Sequence, residues 1–301
     1  MLYTKYPLQK EWKEENLFPF DELILSWNAP RPLKGNFLFY VSVKTTEWTS
    51  PLLYASWGSS GQSSFSHSIQ DTFIKIHQDT LEITEGQKAT GFKIEIKSEN
   101  GAHIESIYGL HVYTNGDKKT PLPELPPTSL HLKIPGLSQM TIDHIRHKDL
   151  CSPAATTAVI QYLLNDRTIH PKDFADSVWD AGFDIFGNWV FNMAEASTLL
   201  GKNWHCWVER LDGFHNIHDY LSQGIPVVVS VRGPLPKSAK PYIQGHLLAV
   251  TGYDALHQKV LSMDPAFPSD SETHISYDVL EFTEAWKRRG NIAYIFKSLA
   301  K

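Results

Sequence analysis

Cys151, His246 and Asp264 are the residues of this chain whose types, neighbours and order suit them to a reaction. Cys151 stands immediately before Ser152-Pro153 and an alanine-rich run. Proline suits the first turn of a helix, where a missing N–H costs nothing, and Ser152 fits as the N-cap. A thiol at such a helix mouth meets the partial positive charge of the helix end. That charge stabilises the thiolate, the form that attacks carbonyl carbon. His246 opens an apolar strand between Gly245 and Gly252, and Asp264 closes the next strand, eighteen residues on. Two antiparallel strands and a turn around Ala255–Gln258 fit that interval and can set the carboxylate beside the imidazole. Nucleophile, base and orienting carboxylate together make a set for acyl transfer. Taken singly each has a plainer reading: a packed thiol, a core histidine and a turn residue before Pro265.

The composition leaves room for this chemistry and excludes other kinds. The chain has 301 residues, 42% of them hydrophobic, a net charge of −5 and two cysteines. The length suits one large domain or two ordinary ones. No apolar run reaches the roughly 18 residues of a membrane-spanning helix, and the acidic balance gives no footprint for nucleic acid. Two cysteines in unlike surroundings make no disulfide framework. Cys206, in the aromatic segment Asn203–Val208, reads as core. The first residues carry no apolar stretch of signal-peptide length, which at face value places the chain in the cytoplasm, or outside if a signal has been removed.

The elements that must position the site change character along the chain. Residues 1–120 read as β structure, with strands at Glu22–Trp27, Phe37–Val43, Thr72–Ile76, Leu81–Ile83, Gly91–Lys97 and Ile107–Tyr113. Turn signals at Gly58–Gly61, Glu85-Gly86 and Asn115-Gly116 separate them, the pattern of an antiparallel β-sandwich. Residues 121–133 open with a proline-rich run that favours an extended linker. Residues 134–301 then read as a mixed domain. Its helices are expected at 154–165, 172–181, 191–200, 217–222 and 279–288, and its strands at 204–208, 226–231, 246–253, 259–263 and 292–296. The fold class is therefore α+β, an N-terminal antiparallel sandwich followed by a domain in which a Cys-bearing helix packs on an antiparallel sheet.

Several motifs in order carry a resemblance. They are Ile134-Pro-Gly-Leu-Ser-Gln139, Cys151-Ser-Pro-Ala154, Gly245-His-Leu-Leu-Ala-Val-Thr-Gly-Tyr253 and Asp264-Pro265. Together they resemble the papain-like cysteine peptidases. Within these they resemble the branch related to the double-glycine leader peptidases of bacteriocin-exporting transporters, the peptidase C39-like family. The segment Gly224–Ser230 also resembles that family's core strand. The resemblance covers the second half of the chain. It implies Cys151 as nucleophile, His246 as base and then acid, Asp264 as the group that fixes the His246 tautomer, and Gln139 as oxyanion donor beside the Cys151 backbone N–H. It implies hydrolysis of peptide bonds through a thioester, a peptide or protein substrate, and no cofactor. Two departures stand out: Ser152 occupies the usual glycine position, and Gln139 lies twelve positions before Cys151, a long interval.

Those departures motivate a different class of function, a peptidase-like binding or scaffold protein that no longer turns over. An acyl transferase that passes the thioester to an amine is a third reading. Metal binding is weighed on His144 with His147 and His215 with His218; neither pair has further ligands at a suitable spacing, and surface histidines are expected. Trp27, Trp48 and Trp57 read as sandwich core, although exposed tryptophans there would suit a carbohydrate or protein partner.

Overall fold

The computed structural model describes residues 1–6, 10–68, 73–84, 86–116 and 125–299. Within it the chain divides into two compact units, Met1–Lys118 with Val178–Val208, and Lys119–Ser177 with Glu209–Lys301. Of the proline-rich run, residues 121–124 lie outside the described residues, as do Thr72 and Glu85.

The first unit is built on ten strands: β1 (Leu2–Lys5), β2 (Glu11–Phe20), β3 (Glu22–Asn28), β4 (Asn36–Lys44), β5 (Leu52–Gly58), β6 (Gln62–Ser68), β7 (Ile74–Gln78), β8 (Thr80–Ile83), β9 (Ala89–Glu99) and β10 (Gly109–Thr114). They pair in the order β1-β10-β3-β8-β7-β6-β5-β4-β9-β2. β4 shows why these segments are strands. Phe37, Phe39, Val41 and Val43 alternate to one face and are fully buried, the period-2 pattern of a sheet with one face in a core. Trp27 on β3 stacks on Phe39 of β4 with centroids 4.2 Å apart, although those strands are far apart in the pairing order. The sheet therefore folds over a core between its two halves. Trp27 and Trp57 are fully buried, as the sequence suggests, whereas Trp48 is half-buried beneath the Lys13 ammonium.

Residues 178–208 join this unit, although their helical and strand pattern runs on from the second half without a break. The helix at Trp189–Leu200 brings Phe191 onto Trp57, centroids 6.0 Å apart and nearly parallel. Asp180 accepts from the Ser64 backbone N–H at 2.9 Å and from the Ser64 hydroxyl. Glu195 pairs with Arg31 at 3.0 Å, and the Arg31 guanidinium lies over the Trp57 ring. The aromatic core formed with Trp57 outweighs continuity along the chain.

The second unit carries β11 (Leu130–His131), α1 (Cys151–Leu164) and α2 (Pro171–Val178, to Ser177 in this unit). The Trp189–Leu200 helix is α3, and β12 (Trp204–Arg210) leads out of the first unit. α4 (Phe214–Ser222), β13 (Val227–Gly233), β14 (Tyr242–Asp254), β15 (Lys259–Met263), β16 (His274–Asp278), α5 (Val279–Lys287) and β17 (Ile292–Ser298) complete the second unit. Its strands run β17-β13-β14-β15-β16, all antiparallel, with β11 beside the far end of β14. That close approach explains Gly252, where an added Cβ would stand 2.2 Å from the Leu130 carbonyl oxygen. α1 packs on β14, and every residue from Ser152 to Gln161 is buried. The alanine stripe expected from spacing is therefore a helix enclosed on all sides, for which small residues are suited. Asn165 ends it in the left-handed conformation at φ 51°, a conformation asparagine tolerates.

Candidate active site

Cys151 is the first residue of α1 rather than a neighbour just outside it. Leu150 is the N-cap and offers no side-chain bond. Ser152 is therefore not the cap. It is fully buried, and its hydroxyl bonds the Tyr294 hydroxyl at 2.9 Å. A long-range partner in β17 has outcompeted the local capping geometry. Pro153 still fits, because the first four N–H groups of a helix have no partner within it. The Ser152 side chain thus bonds into the core through Tyr294, and the added Cβ is accommodated there.

His246 lies on β14, paired with Val231 of β13. Asp264 follows β15 directly, and its own N–H donates to the Thr273 carbonyl at 2.8 Å. The two side chains meet: His246 Nε2 to Asp264 Oδ1 is 2.7 Å, with exposures of 3% and 0%. The His246 ring is also hydrogen-bonded to the Cys151 thiol. With Nε2 held by the carboxylate, Nδ1 is the nitrogen that faces sulfur. Cys151 is the part-exposed residue of the three.

The electrostatics follow from these contacts. Burial alone would raise the Cys151 thiol. The His246 hydrogen bond and charge, helped by the backbone N–H groups of Leu247 and Ser152, outweigh it and hold the thiol below its ordinary range. Burial likewise opposes charge on His246, but the Asp264 carboxylate and the Cys151 contact raise it to about 9. Asp264 would be raised by burial, yet His246, Tyr277 and Tyr242 together lower it. A thiolate–imidazolium pair backed by a carboxylate is the resting charge state these shifts favour.

Gln139 stands apart from that cluster in its bonding. It is buried, and its Nε2 donates to the carbonyls of His147 and Lys148 at 3.1 and 2.6 Å. Its backbone N–H donates to the Pro265 carbonyl at 2.8 Å. The amide thus ties the twelve-residue interval before Cys151 together, and ties it to the segment after Asp264. The resting amide protons are both engaged on those carbonyls.

Cys206 is fully buried in the first unit, where burial pushes its thiol far up. Its backbone is bracketed by the Asn28 amide at 3.0 and 2.6 Å. Among the described residues no three His, Cys, Asp or Glu side chains are grouped to hold a metal ion. His144 lies 3.5 Å from Asp176. His218, expected at the surface, is instead buried, donating from Nε2 to the Thr128 carbonyl at 2.9 Å. The helix face that carries it packs toward Tyr253. No described helix is long and apolar enough to cross a membrane.

Two further side chains at the site are not expected from the sequence. The hydroxyls of Tyr242 and Tyr277 both donate to Asp264 Oδ2, at 2.7 and 2.6 Å. Tyr242 precedes the strand expected from 246, and Tyr277 lies on β16, which is not among the expected strands. The alternation of His274–Asp278 is the signal that could have found it.

Comparison with known proteins bears on the second half of the chain. The model of the Peptidase C39 like family matches residues 131–294, more than half of the chain. No curated protein matches. Among solved structures, the chain is similar to a candidate C39-like peptidase from Bacillus anthracis, with a TM-score of 0.43 and 16% identity over 57% of this chain and 99% of that one.

Proposed function

The chain belongs to the C39-like peptidase family, and on that premise we propose that it is a cysteine peptidase hydrolysing peptide bonds through Cys151, His246 and Asp264. The single observation that carries the proposal is the contact series from the thiol to the imidazole to the buried carboxylate at 2.7 Å. Within the reading, the Cys151 thiolate attacks the scissile carbonyl carbon. The oxyanion is met by the Cys151 backbone N–H and the Gln139 amide, one of whose N–H bonds passes from a backbone carbonyl to the oxyanion. His246 gives its Nδ1 proton to the leaving amine as the C–N bond breaks, leaving a thioester. Neutral His246 then takes a proton from water, whose oxygen attacks the thioester and restores the thiolate. Asp264 keeps Nε2–H in place throughout. The substrate is a peptide or protein.

Labelling with iodoacetamide at about pH 6 is expected to modify Cys151 and spare Cys206, because the thiolate is the reacting form. Peptide mapping by mass spectrometry reads the site; equal inertness of the two thiols sinks the reading. The pH dependence separates two roles. Hydrolysis needs the His246 proton, so its rate falls as pH rises through about 9. Alkylation needs only the thiolate and does not fall there.

Gln139→Ala is expected to lower kcat about 100-fold, the order found for loss of one oxyanion donor. Its Cys151 alkylation rate stays close to wild type. An unchanged kcat assigns the amide to tethering the 139–150 segment alone.

A further inference from the structure

A regular strand places residues four apart on one face but about 13 Å from each other. Tyr242 and His246 are four apart on β14, yet their rings stack with centroids 4.0 Å apart and planes within 17°. The strand must therefore shorten into a bulge between them, and the backbone records where. Gly245 has φ +101°, a region open to glycine. The register against β13 also jumps, from Val231 opposite His246 to Gly233 opposite Tyr242. The bend lays one aromatic ring flat on the imidazole, 2% exposed to solvent.

The same residue reaches the carboxylate behind the imidazole. Asp264 Oδ1 accepts from His246 and from the Ala266 N–H at 3.0 Å, while Oδ2 accepts the two tyrosine hydroxyls. Four donors fill a carboxylate that solvent does not reach. Burial and the neighbouring Asp264 charge hold both tyrosines protonated far above their ordinary range, so at Asp264 they act only as donors. A phenylalanine would bury the same area, so packing alone does not require the hydroxyl.

We propose that Tyr242, with Tyr277 on the same oxygen, is a positioning residue for the reaction. Its ring fixes the plane of the His246 imidazole, and its hydroxyl fixes and partly neutralises the carboxylate that orients it. This rests on the peptidase reading of Cys151, His246 and Asp264. The two hydroxyls spread the Asp264 charge; without one of them, more of it falls on the His246 ring and favours its charged form. The ring also excludes water from the Nε2–Oδ1 bond.

Nitrogen-15 NMR of histidine-labelled protein reads this without any substrate. In wild type the His246 midpoint, raised to about 9 by Asp264 and Cys151, is the reference, and its Nε2 proton is expected to exchange slowly with water. Tyr242→Phe and Tyr277→Phe are each expected to raise that midpoint by up to about one unit, a tenfold shift in the proton equilibrium. Tyr242→Leu is expected to speed exchange of the Nε2 proton at least about tenfold, while Tyr277→Phe, whose ring does not stack on the imidazole, leaves exchange slow. With a cleavable peptide, Tyr242→Leu lowers kcat with KM within about twofold, and Tyr242→Phe recovers most of the loss. A midpoint unchanged in Tyr242→Phe overturns the proposal, and this variant decides alone if Tyr242→Leu does not fold. The NMR signature needs no turnover. A wild type that cleaves nothing therefore counts against the peptidase reading, while the spectra alone decide whether Tyr242 positions His246.

Discussion

Cys151→Ala is expected to cleave peptides at least about 1000-fold more slowly than wild type, the scale on which removing a covalent nucleophile acts. The loss falls on kcat, because the substitution removes the bond-forming atom and little binding surface. Peptide cleavage monitored by chromatography checks it. The control is Cys206→Ala, which deletes a fully buried thiol in the first unit. It costs stability, about 1 kcal/mol for a small buried group, and leaves kcat within about twofold. The pair of variants thus separates a reactive sulfur from a packed one. Equal loss in both would mean that the cysteines matter to folding and not to chemistry.

His246→Ala is the second large effect, and it acts on two quantities. Hydrolysis falls by a similar factor, since the proton donor to the leaving amine and the base for water are both gone. Stability also falls, because Asp264 keeps a buried charge without its cation; breaking such a pair costs about 3–5 kcal/mol. The pH dependence gives the sign. The folded state raises His246 to about 9, so its contribution is complete below the unfolded value of about 6.5 and is lost as pH rises through about 9. Asp264 is lowered in the folded state, so its contribution is present above the unfolded value of about 3.9 and is lost as pH falls through the folded one. Wild type therefore gains most from the pair between about pH 4 and 6.5. Thermal unfolding compared at about pH 5.5 and pH 9.5 is expected to show a smaller gap between wild type and His246→Ala at the higher pH. A gap that does not narrow contradicts the ion pair.

The parts of this arrangement legible in the sequence are those fixed by neighbours along the chain. Cys151 at a helix start, His246 on an apolar strand and Asp264 just past the next one each follow from short local patterns, and the structure brings the three side chains together. What depends on distant partners is not legible. Ser152 has the composition of a cap, but Tyr294, 142 residues away, takes its hydroxyl. The 189–200 helix is visible, but its membership in the first unit depends on Trp57, far earlier in the chain. Gln139 as a donor comes from the family resemblance alone, whereas the carbonyls of His147 and Lys148 that hold it are set by the fold of the 139–150 segment. Tyr242 needs the bulge at Gly245, where one backbone angle lies in the glycine region. Its role also needs Tyr277, brought in by β16 pairing with β15.

The proposed peptidase reaction requires an acyl group on Cys151, formed with the help of His246. Incubation with the p-nitrophenyl ester of N-acetylglycine, acid quench and mass mapping of the digested protein test it most directly. An acyl adduct is expected on the peptide containing Cys151. The adduct should appear within the first turnover, decay as the thioester hydrolyses, be absent from Cys151→Ala and form far more slowly in His246→Ala. An ester hydrolysed equally well by Cys151→Ala, or a wild-type Cys151 that alkylates readily yet never carries the acyl group, contradicts it.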